Sequence, residues 1–178
     1  PEVPSSEAIA EAVSHVDYTG ISLDGNTVSL ADPNTGIDLG AIAKGYIADQ
    51  VKTYLKGQGV RHAIINLGGN VDVIGTKLDG SKYNIGIQKP FDETGEAITS
   101  VKLKDQTVVT SGIYERYFKK DGKLYHHILD PKTGYPCDNN LYSVSIITDS
   151  STEADALSTT CFLLGYEKVM KLINEMDG

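Results

Sequence analysis

The sequence has no tryptophan, only two cysteines and no long apolar run. Cys137 lies in a polar segment and Cys161 in an apolar one, which is typical neither of a disulfide framework nor of a zinc site. No segment approaches the roughly 18 to 20 apolar residues that a membrane-crossing helix needs. We therefore expect no membrane-spanning segment, while the cysteines leave the redox compartment open.

Positive charge is scarce as well. The 178 residues carry 16 Lys and Arg against 24 Asp and Glu, a formal net charge of −8, and no basic cluster stands out. Electrostatic attraction to a phosphate backbone is missing, so we expect no nucleic-acid partner. A nucleotide bound to so acidic a protein would need a metal ion, backbone N–H groups or a few local cations to offset the repulsion of its phosphates.

The length and the 40% apolar content fit a single domain over residues 1–178. Hydrophobic periodicity, caps and turn residues predict helices that begin near Ser6, at residues 41–56 and from residue 153 to about 176, the last capped by Ser151 or Thr152 and interrupted at Gly165. Strands are predicted at residues 21–23, 28–30, 63–66, 71–74, 83–87, 98–103, 107–109, 113–118, 125–129 and 144–147. This order favours an α+β fold with a mostly antiparallel sheet layered with helices.

The segment from Asp38 to Tyr46 could bind an anion. A strand ends, Gly40 allows close approach of the backbone, and a helix begins with Lys44 in its first turn. Free N–H groups at a helix start, with an ammonium nearby, suit a phosphate. The alternative is ordinary helix capping with a solvated lysine.

A pair of glycines separates two apolar strands in the segment Asn66-Leu67-Gly68-Gly69-Asn70. The pair favours a tight turn, although it could also form a cradle where the backbone touches a ligand. Asn66 and Asn70 could order this turn through their own side chains without touching a substrate.

Two adjacent histidines, His126 and His127, lie in a predicted strand. Successive strand residues point to opposite faces, so we expect one of the two to face solvent. Zinc is disfavoured because the remaining histidines, His15 and His62, lie at no helpful spacing. A structural histidine and a catalytic or ligand-orienting one both stay open.

Asp155 and Thr159 are four residues apart in a predicted helix and therefore project from the same face. One carboxylate, one hydroxyl and one backbone carbonyl would suffice for Mg²⁺, which prefers hard oxygen ligands and keeps positions for water and substrate phosphate. The alternative is that the acidic residue only interacts favourably with the helix dipole.

Together, these segments resemble the ApbE family, the FAD:protein FMN transferases once described as thiamine-biosynthesis lipoproteins. The matching segments are DLGAIAKGY from Asp38, INLGGN from Ile65, TSGIYERYF from Thr110, YHHILDPKTGYP from Tyr125 and ADALSTT from Ala154. The resemblance covers residues 36–165. Family members usually carry well over a hundred residues before the first segment, so the resemblance implies a T-fold-like domain that is N-terminally truncated here.

The resemblance implies a cleft for FAD in which Mg²⁺ bridges the diphosphate to the protein. Asp155, Thr159 and the carbonyl of Ala41 would be the metal ligands. Asp38, Lys44 and Ile128 would bind FAD, Thr110, Ser111 and Gly112 would line the flavin site, and His127 matches the family's functional histidine.

The implied reaction transfers FMN from FAD to a Thr or Ser hydroxyl of an acceptor protein and releases AMP, with His127 as base or positioning group. Two alternatives stay open: an FAD pyrophosphatase that yields FMN and AMP, and a flavin-binding module without turnover. The resemblance also implies an extracytoplasmic parent anchored to the membrane as a lipoprotein.

Overall fold

The computed structural model describes residues 2–92 and 94–176, and this part of the chain contains four α-helices and ten β-strands. By the contacts between Cα atoms, the chain divides into two compact units. Unit 1 comprises residues 1–38 and 116–137, and unit 2 comprises residues 39–115 and 138–178. The single-domain expectation stays a prediction, and the two units are described separately.

The described residues of unit 1 form one α-helix, a short 3-10 helix (Tyr18–Gly20) and two hairpins. Its elements are α1 (Ser6–Ser14), β1 (Ile21–Asp24), β2 (Thr27–Leu30), β8 (Tyr117–Lys120) and β9 (Lys123–His126). Ser5 caps α1, since its hydroxyl accepts from the N–H of Ala8 at 3.2 Å. The apolar face of α1 packs closely on Gly134, where an added Cβ would lie 2.6 Å from the Ile9 side chain.

Unit 2 is built around a four-stranded antiparallel sheet. Its strands are β3 (Ala63–Asn66), β4 (Asn70–Ile74), β7 (Thr107–Gly112) and β10 (Ser143–Thr148), in the spatial order β10-β7-β4-β3. A separate hairpin consists of β5 (Tyr83–Gln88) and β6 (Ala97–Leu103). The helices of the unit are α2 (Ala43–Gly57), α3 (Ser151–Leu164) and α4 (Tyr166–Glu175).

The two faces of this sheet are chemically different. Val73 and Val108 form the apolar core with Tyr83 and Leu103 of the β5–β6 hairpin. The residues that alternate with them in β4 and β7 point the other way, toward α2 and α3, and include buried polar groups. None of the helices in residues 2–92 and 94–176 is long and apolar enough to cross a membrane.

Several predicted boundaries are wrong. The strand predicted at residues 125–129 ends at His126, the last residue of β9. The strand predicted at residues 113–118 is absent over residues 113–116: β7 ends at Gly112, the N–H of Ile113 donates to the carbonyl of Tyr142 at 3.0 Å, and β8 begins only at Tyr117. The cap of α3 is Ser150 rather than the predicted Ser151 or Thr152. Helix α2 begins at Ala43 rather than near residue 41.

Candidate functional site

Helices α2 and α3 meet at Gly45, which is buried. A Cβ added at Gly45 would lie 2.1 Å from the carbonyl oxygen of Ser151 and 2.8 Å from the Cβ of Asp155. Only glycine fits at this point, because both groups belong to the core of the contact. The close approach lets the backbone N–H of Gly45 donate to Oδ2 of Asp155 at 2.8 Å.

This hydrogen bond explains the late start of α2. In a helix that began earlier, the N–H of Gly45 would donate to the carbonyl of Ala41, four residues before it. Asp155 takes that N–H, and no donor among the described residues reaches the Ala41 carbonyl. An unpaired carbonyl oxygen is thus left at the start of α2, in the chain segment next to the Asp155 carboxylate.

Thr159 contacts strand β7. Its hydroxyl lies 3.0 Å from the hydroxyl of Ser111, which also bonds to the hydroxyl of Ser158 at 2.7 Å. Ser158 in turn donates to the backbone carbonyl of Asp155 at 3.0 Å. The hydroxyls of Ser111 and Thr159, assigned to different roles by the sequence, are therefore neighbours.

The residues expected to hold a metal offer oxygen donors that suit Mg²⁺. Asp155 is 3% exposed and keeps Oδ1 without a hydrogen bond from the described residues, while Thr159 is half-buried. No group of three or more His, Cys, Asp or Glu side chains that could hold a metal occurs in the described part of the chain. A site of one carboxylate, one hydroxyl and one carbonyl lies outside that pattern, and its donor chemistry fits a magnesium ion that keeps water and phosphate ligands.

Asp49 of α2 fixes the start of α3. Its carboxylate accepts from the N–H groups of Ser151 and Thr152, both at 2.9 Å, and from the hydroxyls of Thr152 at 2.6 Å and Ser150 at 3.1 Å. Burial raises the pKa of Asp49, but these hydrogen bonds outweigh the burial and hold the pKa below its ordinary value. Asp49 thereby fixes the position of α3 along α2, and with it the position of Asp155.

Lys44 joins the start of α2 to the glycine turn. Its ammonium donates to the carbonyl of Gly68 at 3.1 Å. Gly68 and Gly69 both have positive φ angles, of 56° and 89°, so the segment is the tight turn favoured from the sequence. The N–H groups of Ala43 and Gly45 are already bonded, so neither is available to bind an anion, and the anion site expected at this helix start stays a prediction.

Thr110 lies on the face of β7 opposite to Ser111. Its hydroxyl bonds to that of Ser145 at 2.8 Å, and it borders a cleft of about 190 Å³. The cleft is lined by Asn66, Gly69, Val71, Ile85, Gly86, Ile87, Gln88, Val108, Thr110, Tyr114 and Glu115. Gly112, the end of β7, is buried, and an added Cβ there would lie 2.7 Å from the Tyr114 ring.

The two histidines in unit 1 have different surroundings: His126 is the last residue of β9, and His127 follows the strand. His126 is 8% exposed, and its Nε2 bonds to the Cys137 carbonyl at 3.1 Å while its Nδ1 accepts from the N–H of Ile128 at 3.3 Å. His127 is exposed and donates through Nδ1 to the carbonyl of Arg116 at 3.3 Å. That bond leaves Nε2 of His127 as the basic nitrogen.

The remaining predicted residues also lie in unit 1. Asp38 is exposed and borders a cleft of about 330 Å³, whereas Ile128 is 4% exposed. Both backbone polar groups of Ile128 are hydrogen-bonded: its N–H donates to Nδ1 of His126, and its carbonyl accepts from the N–H of Cys137 at 3.0 Å. The FAD contacts assigned to both residues stay predictions.

Gly45, Asp49 and Ser158 organise the candidate site but were not singled out from the sequence. Gly45 did lie inside the resembling segment DLGAIAKGY, and a glycine within a predicted helix can indicate close packing. Asp49 and Ser158 carry no such local signal, because their partners lie on other elements.

The fold and this geometry define an α+β protein with oxygen donors gathered where two helices and a sheet strand meet. The chain belongs to the ApbE family, whose model matches residues 1–178. The resemblance stated from the sequence is thereby confirmed.

Two similar proteins are FAD:protein FMN transferases. The one from Klebsiella pneumoniae (strain 342) is 47% identical over 168 residues, covering 93% of this chain and 51% of the relative. The one from Treponema pallidum (strain Nichols) is 40% identical over 191 residues, covering 99% of this chain and 53% of the relative. The chain thus spans about half the length of these relatives.

Solved structures give the same family. A crystal structure of the ApbE protein from Thermotoga maritima MSB8 superposes with a TM-score of 0.88 at 38% identity, covering 98% of this chain and 56% of that one. The flavin transferase ApbE from Vibrio cholerae superposes with a TM-score of 0.84 at 32% identity, covering 97% and 55%. These matches confirm the predicted α+β, ApbE-like fold.

Proposed function

We propose that the protein to which this chain belongs is an FAD:protein FMN transferase that moves FMN from FAD onto a Thr or Ser hydroxyl of an acceptor protein and releases AMP. The relatives named above carry this activity in their names and align with nearly all of this chain. The observation that carries the proposal is the contact of α2 and α3, where the Gly45 N–H donates to Oδ2 of Asp155 and the Ala41 carbonyl is left without a donor among the described residues. FAD and the acceptor protein are the partners.

Ala41, Asp155 and Thr159 would hold Mg²⁺ as the cofactor. The unpaired Ala41 carbonyl and the free Oδ1 of Asp155 are the supporting features, since hard oxygen donors without other partners are suited to this ion. A magnesium ion held there would neutralise negative charge that develops on the phosphoryl oxygens.

Lys44 would position the diphosphate of FAD. Its ammonium has three N–H donors, of which one is used by the Gly68 carbonyl. The other two are free to bind phosphate oxygens in a protein whose net charge of −8 otherwise repels them. Thr110, Ser111 and Gly112 would line the flavin site, with Asp38 and Ile128 as further FAD contacts.

His127 would act on the attacking hydroxyl. The bond from Nδ1 to the Arg116 carbonyl fixes the tautomer in which Nε2 can accept a proton or orient the hydroxyl. The hydroxyl oxygen then bonds to the FMN phosphorus, the bond from that phosphorus to the bridging oxygen breaks, and AMP leaves with that oxygen. The extracytoplasmic, lipid-anchored location is likewise a proposal, supported by the family resemblance.

The decisive experiment is mass spectrometry of a candidate acceptor protein after incubation with the intact enzyme, FAD and Mg²⁺, with free AMP quantified alongside. We expect an FMN-sized mass gain and an equal amount of AMP. AMP without an adduct would replace the proposal by FAD hydrolysis. Absence of both products, when FAD binds and several acceptors have been tried, would favour a binding module.

The metal assignment has its own test. Asp155→Ala should weaken Mg²⁺-dependent FAD binding at least about tenfold, a loss that is typical even of outer ligand-shell changes. Asp138→Asn, which neutralises an exposed carboxylate in unit 2, serves as the control and should leave binding unchanged. Equal FAD affinity and equal Mg²⁺ dependence in both variants would refute the assignment.

A further inference from the structure

Asn70, the last residue of the INLGGN segment, has no part in the proposed reaction. Its neighbour in the segment, Asn66, orders the glycine turn by accepting from the N–H of Gly68 at 3.2 Å. Asn70 does not share this role, because its side chain points into the interior and is completely buried. Neither Oδ1 nor Nδ2 of Asn70 has a hydrogen-bond partner among the described residues.

A third unpaired polar atom belongs to the same face of β4. Asp72 lies two residues after Asn70, so both side chains project from one side of the strand. Oδ1 of Asp72 binds the ammonium of Lys52 at 2.7 Å, but the buried Oδ2 has no partner within the described chain. Two acceptors and one amide donor are therefore gathered in the interior, on the side of the sheet that faces α2.

Helix α2 packs beside these atoms. Lys44 of α2 contacts Gly68, and Lys52 contacts Asp72, so the helix runs alongside the chain from residue 68 to residue 72 in the same direction. Midway between the two lysines lies Ala48, which is completely buried and presents one methyl group. The small side chain of Ala48 therefore lies beside Asn70.

We propose that the interface of α2 and β4 contains an internal water site formed by Asn70 and Asp72 beside Ala48. The Nδ2 group of Asn70 donates to the water oxygen, and the water donates to Oδ2 of Asp72 and to a second acceptor such as Oδ1 of Asn70. Buried waters of this kind typically make about three hydrogen bonds to groups that are otherwise unsatisfied. A cation does not suit the site, because the Lys52 ammonium and an amide N–H donor already face it.

This water gives Asn70 a structural role in place of a ligand contact. It completes a polar connection from β4 to α2, beside the helix turn that carries Gly45 and Asp49. A dry interior would leave three polar atoms unpaired, and each such atom costs the desolvation free energy of the group. The site is independent of the transferase proposal, since it makes no use of FAD or metal.

A high-resolution crystal structure of the intact protein tests the site directly. We expect a water within hydrogen-bonding distance of Nδ2 of Asn70 and Oδ2 of Asp72. We also expect Asn70→Leu to lower the folding equilibrium constant at least about tenfold, because the isosteric side chain removes the water's donor and leaves Asp72 unpaired. Asn84→Leu, at an exposed asparagine on β5, is the control and should change that constant about twofold or less.

A dry interior predicts the opposite effect of Asn70→Leu on the folding equilibrium constant. If the interior is dry, Asn70→Leu removes two unpaired atoms and raises the folding constant. A crystal structure of the unmodified protein without water at this position, or with a metal ion there, overturns the proposal however the variants behave.

Discussion

Replacing Gly45 with alanine tests whether the contact of α2 and α3 positions Asp155. The added methyl group would lie 2.1 Å from the Ser151 carbonyl oxygen and 2.7 Å from its carbonyl carbon. Both atoms belong to backbone that Asp49 holds in place through hydrogen bonds to the start of α3. The methyl group therefore cannot be accommodated by a side-chain rotation, and the two helices must separate.

The expected loss of stability follows from three contributions. Overpacking a well-packed contact costs about 1–3 kcal/mol. Separation of the helices also weakens the bond from the Gly45 N–H to Asp155, and a hydrogen bond to a charged group contributes about 1.5–3 kcal/mol. Alanine returns about 1 kcal/mol through its higher helix propensity. We expect a net loss of about 1.5–5 kcal/mol, the range left when these contributions are combined.

The assay is urea denaturation of the intact protein, with Gly57→Ala as the matched control. Gly57 ends the same helix, and an added Cβ there meets nothing within 4 Å. The control should be neutral or stabilised by up to about 1 kcal/mol. Equal stability of Gly45→Ala and Gly57→Ala would refute the close contact. If a folded Gly45→Ala variant bound FAD with Mg²⁺ at the affinity of the unmodified protein, the role of this contact in positioning Asp155 would be refuted.

Two further predictions concern the histidines and Asp49. His127→Ala should lower FMN transfer by about a hundredfold or more with the fold intact, as expected for a lost general base. His126→Ala should instead destabilise the protein by about 1–3 kcal/mol, because it removes a buried ring that makes two hydrogen bonds. Transfer rates and thermal melting of both variants distinguish the two roles. A loss of transfer in His126→Ala with a loss of stability in His127→Ala would contradict the assignment. Asp49→Asn should destabilise the protein at neutral pH but much less at low pH. The folded pKa of Asp49 lies below its ordinary value of 3.8, so its contribution is present above that pH and is lost as the pH falls further; a destabilisation that does not depend on pH, measured by denaturation at both pH values, would contradict this.

Local sequence signals predicted most elements of the fold. The strand at residues 63–66 matches β3 at both ends, and the strands at residues 21–23 and 28–30 lie within the paired strands β1 and β2. Both signals depend only on alternation and on turn residues with a defined backbone preference. The wrong boundaries have another origin. The start of α2 and the end of β7 are set by hydrogen bonds to Asp155 and Tyr142, which are distant in sequence and carry no local signal.

The candidate site shows the same division. Helical spacing correctly places Asp155 and Thr159 within one helix, but it does not reveal what each side chain meets. Asp155 contacts the backbone of α2, whereas Thr159 contacts Ser111 of β7. Gly45 allows the close approach of α2 and α3 that brings Asp155 to the backbone of α2. This effect follows from tertiary packing alone.

Strand β7 limits how a flavin could use the segment Thr110-Ser111-Gly112. Consecutive strand residues face opposite sides, and Thr110 borders the cleft while Ser111 contacts Thr159 beneath α3. One ligand can touch both side chains only where the strand ends, because elsewhere the backbone of β7 lies between them. That end is Gly112, where the chain turns away and the missing side chain lets the Tyr114 ring approach closely. If all three residues bind the flavin, its ring must therefore lie across the end of β7 rather than along either face of the sheet.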